Sequence, residues 1–225
     1  MQVGNKSYRV ESDIPEQVPV FPLSGALLLP GAQLPLNIFE PRYLSMLDDA
    51  MSSDRLIGVI QPALVDAKTN KAPVEDLCRV GCLGRITSFA ETGDGRYVIT
   101  LGGVCRFRIG EELVQEGKPY RICRISPFLG DLEAGDEGKD VDRKALLESF
   151  KAYLEANELE ADWSSVERAS TASLVNSLSM MSPYGPAEKQ ALLEADNLKI
   201  RAETLIAITE IALARDSDDH GPVLQ

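Results

Sequence analysis

Few residues in this chain have the types and spacing that chemistry needs. The single histidine, His220, sits in an acidic stretch near the C-terminal end. One imidazole alone builds neither a catalytic triad nor a histidine-rich metal site. Of the four cysteines, Cys78 and Cys82 are four apart on a strand-like segment, so they share a face, while Cys105 and Cys123 lie on other strand-like segments. Four converging thiolates would hold zinc, but the close C-x₂-C pairing of a zinc ribbon is absent, and buried thiols are the plainer reading. The adjacent carboxylates Asp48-Asp49 and Glu111-Glu112 do not share a face and read as solvated charge, not as an acid–base couple. A phosphate loop requires G-x-x-x-x-G-K-[ST]. Gly117-Lys118 runs into Pro119, and Gly138-Lys139 into Asp140, so neither qualifies. The expectation is a chain with no catalytic residue, no metal and no cofactor.

Arginine supplies the one charged pattern of interest. Arg79, Arg85, Arg96, Arg106, Arg108, Arg121 and Arg124 fall within a single β-like region. A cationic strand face of that kind could hold a phosphate backbone, which makes RNA binding the alternative function. The same region carries Glu91, Asp94, Glu111, Glu112 and Glu116 and few aromatic rings for base stacking. Cross-strand ion pairs are the competing reading. The overall charge of −12 is lopsided: residues 1–130 hold 14 Lys and Arg against 15 Asp and Glu, and residues 131–225 hold 9 against 20. An acidic half repels phosphate, which argues against nucleic acid as the main partner. No apolar run approaches the roughly 20 residues of a membrane helix, and the first residues have no apolar secretory core. With the cysteines read as reduced thiols, the location expected is the cytosol.

The elements that would position a binding surface centre on Val18–Met51. Prolines alternate through Val18-Pro19-Val20-Phe21-Pro22-Leu23, and proline cannot donate to a ladder, so this reads as an edge strand or one with a free side. Ser24-Gly25 and Pro30-Gly31 bracket an apolar tip, Ala26-Leu27-Leu28-Leu29. Leu34, Leu36 and Ile38 then alternate with polar positions and proline, at strand period. Pro41 suits the first turn of a helix whose Leu44, Leu47 and Met51 share a face. Three consecutive leucines cannot all point inward from a short turn, so at least one is expected to be exposed or to cover a groove. The other reading has them capping a barrel or touching a helix. Arg42 and Tyr43 likewise read either as contact residues or as an ion pair with Glu40 and a half-buried ring.

Before and after this stretch the pattern is coarser. Residues 1–17 are polar and aperiodic, as in a flexible leader. Arg55–Gln61 is a buried-strand run that Pro62 stops, and Leu64–Pro73 reads as a solvated loop. From Leu77 to Phe128 the period is that of strands, with Asp94-Gly95 as a hairpin turn, Gly102-Gly103 as a break, and Cys105, Phe107 and Ile109 alternating with Arg106 and Arg108. Several short strands at close spacing favour a barrel over an open sheet. An acidic linker is expected over 131–140, helices over 141–215, and a disordered tail over 216–225. Within 141–215, one helix carries Leu146–Leu154, a second runs from Asp162 to Pro183, a third opens at Pro186, and a fourth is capped by Asp196. Short connections suggest an antiparallel bundle.

The segments PVFPL, LLLPG and IFEPRYLSML, with RLIGV, GCLGRI, GVCRFRI and EKQALLE after them and then Arg201 and Leu205, are similar in order and spacing to the N-terminal substrate-binding domain of Lon-type ATP-dependent proteases. The resemblance covers Val18 to Ala214. It implies an α+β fold, a PUA-like β-barrel over 18–130 followed by the helical bundle. It also implies non-catalytic recognition of unfolded or client polypeptides, with a protease or chaperone as a further partner. The family's nucleotide and protease parts have no counterpart here, so the expectation is a stand-alone recognition protein. The candidate polypeptide-binding residues are Leu27, Leu28, Leu29, Pro30, Phe39, Arg42 and Tyr43.

Overall fold

A computed structural model describes residues 1–63, 77–133 and 138–219, with side chains as far as Arg215. The chain divides into two units. The first comprises residues 1–135 together with 183–193, and the second comprises 136–182 together with 194–225.

The first unit is built on a mixed sheet. Its strands are β3 (Gln17–Pro22), β4 (Gln33–Ile38), β5 (Leu56–Ile60), β6 (Val80–Glu91), β7 (Tyr97–Glu112) and β8 (Arg121–Pro127), in the order β4-β7-β6-β5-β3-β8. β8 also pairs back onto β7, with an irregularity between Ile109 and Glu112, so the ladder is barrel-like. The expected hairpin forms at Asp94-Gly95, where Gly95 takes φ +84. Helix α1 (Pro41–Met51) enters through Pro41 at its first position and buries Tyr43, Met46, Leu47 and Ala50.

Three expectations for this unit are corrected. The leader is not loose. It forms β1 (Gln2–Val3) and β2 (Lys6–Ser7), and Val3, Tyr8 and Ile14 join the same core as Phe107 and Cys105. The terminal ammonium donates to the carbonyls of Tyr8 and Leu132, at 2.9 and 2.6 Å. Gly102-Gly103 is not a break, because it lies inside the continuous β7. And β3 is not an edge. It pairs in parallel with β5 over Val20–Pro22 and antiparallel with β8 over Gln17–Val20. Among the described residues the free edge belongs to β4, which pairs with β7 alone.

The stagger explains how β3 accommodates its prolines. Leu23 N donates to Ile60 O on β5, and Glu16 O accepts from Ile125 N on β8. Backbone groups alternate sides along a strand. Pro19 therefore faces β5 before that ladder begins, and Pro22 faces β8 after that ladder has ended. Neither proline is asked for the donor it lacks.

The second unit is helical: α2 (Arg143–Ala156), α3 (Trp163–Arg168), α4 (Thr171–Met181) and α6 (Leu198–Asp219), with α6 packed on α2 and α4. The single helix expected over 162–181 is split, because the Ser170 hydroxyl accepts from Ser173 N and caps a new start. Asn197, not Asp196, caps α6 through Ile200 N. The third expected helix, α5 (Pro186–Glu194), is not part of a bundle, since Pro183–Leu193 belongs to the first unit. The expected linker contributes a 3-10 turn at Leu129–Leu132. α6 continues to Asp219 into the expected tail. His220, the rest of the tail and Leu64–Pro73 lie outside the described residues. Among the described residues no helix is long and apolar enough to cross a membrane.

Candidate functional site

The leucine tip is the sharpest correction. Leu27, Leu28 and Leu29 are only 3%, 1% and 0% exposed. Their loop lies across β6 and β7, where side chains have been removed to admit it. A Cβ on Gly103 would stand 2.1 Å from Leu29 O, and one on Gly84 would stand 2.9 Å from Leu28 Cδ2. Gly31 N donates to Gly103 O and Gly103 N to Ala32 O, both at 2.9 Å, so the loop is also bonded to β7. Glycine at these positions lets the backbone of a loop approach a strand closely. All three leucines point inward because the strands beneath offer a floor without side chains. Pro30, at the end of the loop, is half-buried.

Phe39, Arg42 and Tyr43 are placed differently. Phe39 follows the free-edge strand β4 and is 62% exposed, with the Arg96 guanidinium 6.0 Å from its ring. Arg42 is exposed, pairs with Glu40 at 2.8 Å, and lies 4.5 Å from the Tyr43 ring. Tyr43 is buried against Phe21, ring to ring at 4.5 Å. Arg42 and Tyr43 line one cleft of about 360 Å³ with Pro22, Pro119, Tyr120 and Arg121.

This cleft exists because a ladder stops. Val20 opposite Arg121 is the last β3–β8 pair. The next bonded position would set Pro22 against Pro119, two residues with no N–H. The strands part there, and the first turn of α1 lies alongside the opening. The signal was present in the sequence as prolines at positions 22 and 119, but their opposition depends on a register that only pairing reveals.

The cleft's groups suit binding more than bond chemistry. Burial pushes the Tyr43 phenol up, and burial together with the Asp49 hydrogen bond pushes Tyr120 up, so both stay protonated at neutral pH. Tyr120 donates to Asp49 Oδ2 at 2.5 Å, and Lys118 reaches the same oxygen at 2.8 Å. These two bonds, Lys118 first, hold the Asp49 carboxyl below its usual range. Arg121 is held by Glu112 at 2.6 Å. None of the cleft's lining residues is a carboxylate or a thiol. Elsewhere all four cysteines are thiols without disulfides. Burial raises Cys105 to about 12 and Cys123 to about 11, far from a reactive thiolate. No group of three or more His, Cys, Asp or Glu among the described residues could hold a metal ion.

Most of the arginine run is taken up in pairs, while Arg79 and Arg108 are exposed. Arg85 is buried and donates to Asp54 O, Tyr8 Oη and Asn5 Oδ1. Arg106, expected on the outer face, is buried in a two-pronged pair with Asp131, both prongs at 2.9 Å, and also donates to Leu193 O at the end of α5. Arg96 and Arg124 face carboxylates on the surface.

The role of one residue escaped sequence reading. Gln61 is buried at the end of β5. Its Oε1 accepts from Gly25 N, and its Nε2 donates to Pro186 O and Gln190 Oε1. Gln190 in turn donates to Val80 O. This chain of amides fastens both the leucine loop and α5 to the sheet. A polar residue closing an apolar strand was the only hint.

Comparison with known proteins agrees with this architecture. A family model for the ATP-dependent protease La (LON) substrate-binding domain matches residues 17–210. The chain is 28% identical over 201 residues to a Lon protease of Flavobacterium johnsoniae, covering 86% of this chain and 24% of that protein. It is 32% identical over 115 residues to Lon protease 2 of Myxococcus xanthus, covering 51% of this chain and 13% of that one. The chain thus spans a quarter or less of these relatives. In fold it is similar to the Lon N-terminal domain protein from Xanthomonas campestris, with a TM-score of 0.58 at 24% identity, covering 85% of this chain and 97% of the other. It is also similar to the N-terminal domain of a Lon protease from the Mycobacterium avium complex, with a TM-score of 0.62 at 21% identity, covering 86% and 98%. This chain belongs to the LON substrate-binding domain family.

Proposed function

We propose that this chain recognises unfolded or client polypeptides without bond chemistry of its own, and that the recognition surface surrounds the start of α1. Phe39 supplies an exposed ring beside the edge strand. Arg42 and Tyr43 supply a guanidinium and a ring edge in the cleft. The observation that carries this reading is the cleft itself, opened where Pro22 and Pro119 end the ladder. Without a backbone donor there, an incoming chain is held by inserted apolar and aromatic side chains more than by strand addition. Family membership supports polypeptide as the ligand class, and a Lon-type protease or a chaperone as a working partner in the cytoplasm. Leu27, Leu28 and Leu29 are buried and do not touch the ligand.

The test is a titration of a fluorescently labelled, permanently unfolded model protein, read by anisotropy. The double variant Phe39→Asp, Arg42→Glu is expected to bind about tenfold more weakly, roughly 1.4 kcal/mol. Equal affinity in a variant with unchanged circular dichroism removes the site. Peptide cleavage or nucleotide turnover by the purified chain removes the non-catalytic reading.

A further inference from the structure

The helical unit carries a second feature that the surface around α1 does not use. Lys144, Leu147, Glu148 and Lys151 fall at i, i+3, i+4 and i+7 on α2 and so form one stripe. With Arg143 on the same helix and Trp163 at the first position of α3, they line a groove of about 460 Å³. Its floor is apolar. Trp163 is 38% exposed and stacks loosely on Phe150, with ring centroids 6.2 Å apart. Arg143 is anchored to the α3 end by donation to Val166 O at 2.9 Å, which fixes one cationic wall. Among the described residues, Lys144 and Lys151 make long, exposed pairs with Glu148 and Glu155, at 3.6 and 3.7 Å. Such pairs hold their charges weakly and release them readily to a better partner.

The charge argument selects the occupant. The groove brings three cations and one carboxylate together, in a region of sequence where 20 acidic residues outnumber 9 basic ones. Over most of that region a carboxylate is repelled, and at the groove it is attracted. At physiological salt, screening within about 8 Å lets the local sign decide. An exposed indole flanked by lysine stems is also the kind of anchor point that interfaces favour. We infer that this groove binds an acidic polypeptide segment with a bulky apolar residue at its centre, the apolar side chain on Leu147 and Trp163 and the flanking carboxylates on Lys144 and Lys151. The inference needs only the helical unit and stands whether or not the cleft beside α1 binds clients.

Trp163 is the chain's single tryptophan, so its emission reports on the groove alone. The probe is a short labelled peptide with Leu-Phe between runs of glutamate, added to the full chain while Trp163 emission and peptide anisotropy are followed together. Binding is expected to move both with one midpoint. Lys144→Glu, Lys151→Glu is expected to weaken it about tenfold, while a peptide with serine in place of Leu-Phe binds weakly to either protein. These lysines are exposed, so the double variant keeps the fold, checked by circular dichroism. No binding, equal affinity for the variant, or anisotropy that rises while the emission stays still overturns the inference, the last placing the peptide elsewhere. Emission that shifts with protein concentration alone, with dimers in sedimentation, assigns the groove to a second copy and overturns it too.

Discussion

The two units are held by different kinds of polar contact. In the β unit the defining contacts are buried and join residues far apart in sequence: Arg85 to Tyr8, Arg106 to Asp131 and Leu193, Gln61 to Gln190. In the helical unit many are local and exposed: the caps at Asp142, Asp162 and Ser170, and the spaced pairs of Lys144, Lys151 and Lys199. Buried polar contacts are costly to break, because a desolvated partner is left behind. Exposed local ones are replaced by water. The β unit is therefore intolerant of change at a few points, and the helical unit yields gradually at many.

The contrast breaks most visibly at the leucine loop. Gly103→Ala forces a methyl group onto Leu29 O. Backbone must move, and a loss of at least about 4 kcal/mol is expected in urea unfolding. Leu28→Asp, which buries an unpaired carboxylate, belongs in the same range. Phe39→Asp, a few residues downstream but exposed, is expected to stay within about 0.5 kcal/mol. If Leu28→Asp proves as mild as Phe39→Asp, the loop is not the plug described here. Next in size is Arg106→Ala, which strands Asp131 and frees Leu193 O, at about 3–5 kcal/mol. A thermal melt that drops by only a degree or two would contradict it.

Smaller effects belong to the helical unit. Ser170→Ala removes the cap that divides α3 from α4 and is expected to cost about 1 kcal/mol by the same urea assay. Asp162 adds a pH dependence. Hydrogen bonds from Ser165 and then Ser164 hold its carboxyl down at about 2. A carboxyl depressed in the folded state stabilises fully above its unfolded value, near 4, and loses that contribution as pH falls towards 2. Asp162→Asn should flatten the change of the melting midpoint across that window, and an unaltered slope would show that the bonds are not made. Smallest of all, Lys199→Ala is expected to shift stability by under about 0.5 kcal/mol.

How much of this could be read beforehand follows from how local each signal is. The β4 alternation, the Asp94-Gly95 hairpin and the entry of α1 at Pro41 are written in neighbouring residues, and all three appear as expected. The prolines of β3 leave open an edge strand or one with a free side, and the second holds, because its two partners are staggered. The sequence leaves the leucine tip between an exposed surface and a cap on the barrel, because the glycines that receive it lie 56 to 74 residues downstream, at Gly84 and Gly103. α5 was read as a bundle helix because its amphipathic pattern does not say which unit it serves. Of the candidate binding residues, Phe39, Arg42 and Tyr43 keep a place at the surface or in the cleft. The rest of the cleft was hidden, since Pro119 and Tyr120 meet Pro22 only through register.

The facing prolines at 22 and 119 also act as a guard. Strand ends that part inside a sheet normally leave a template that other chains copy, and copying spreads into aggregates. Here the template is missing its donors. The notch can thus stay open without offering a strand edge for other chains to extend.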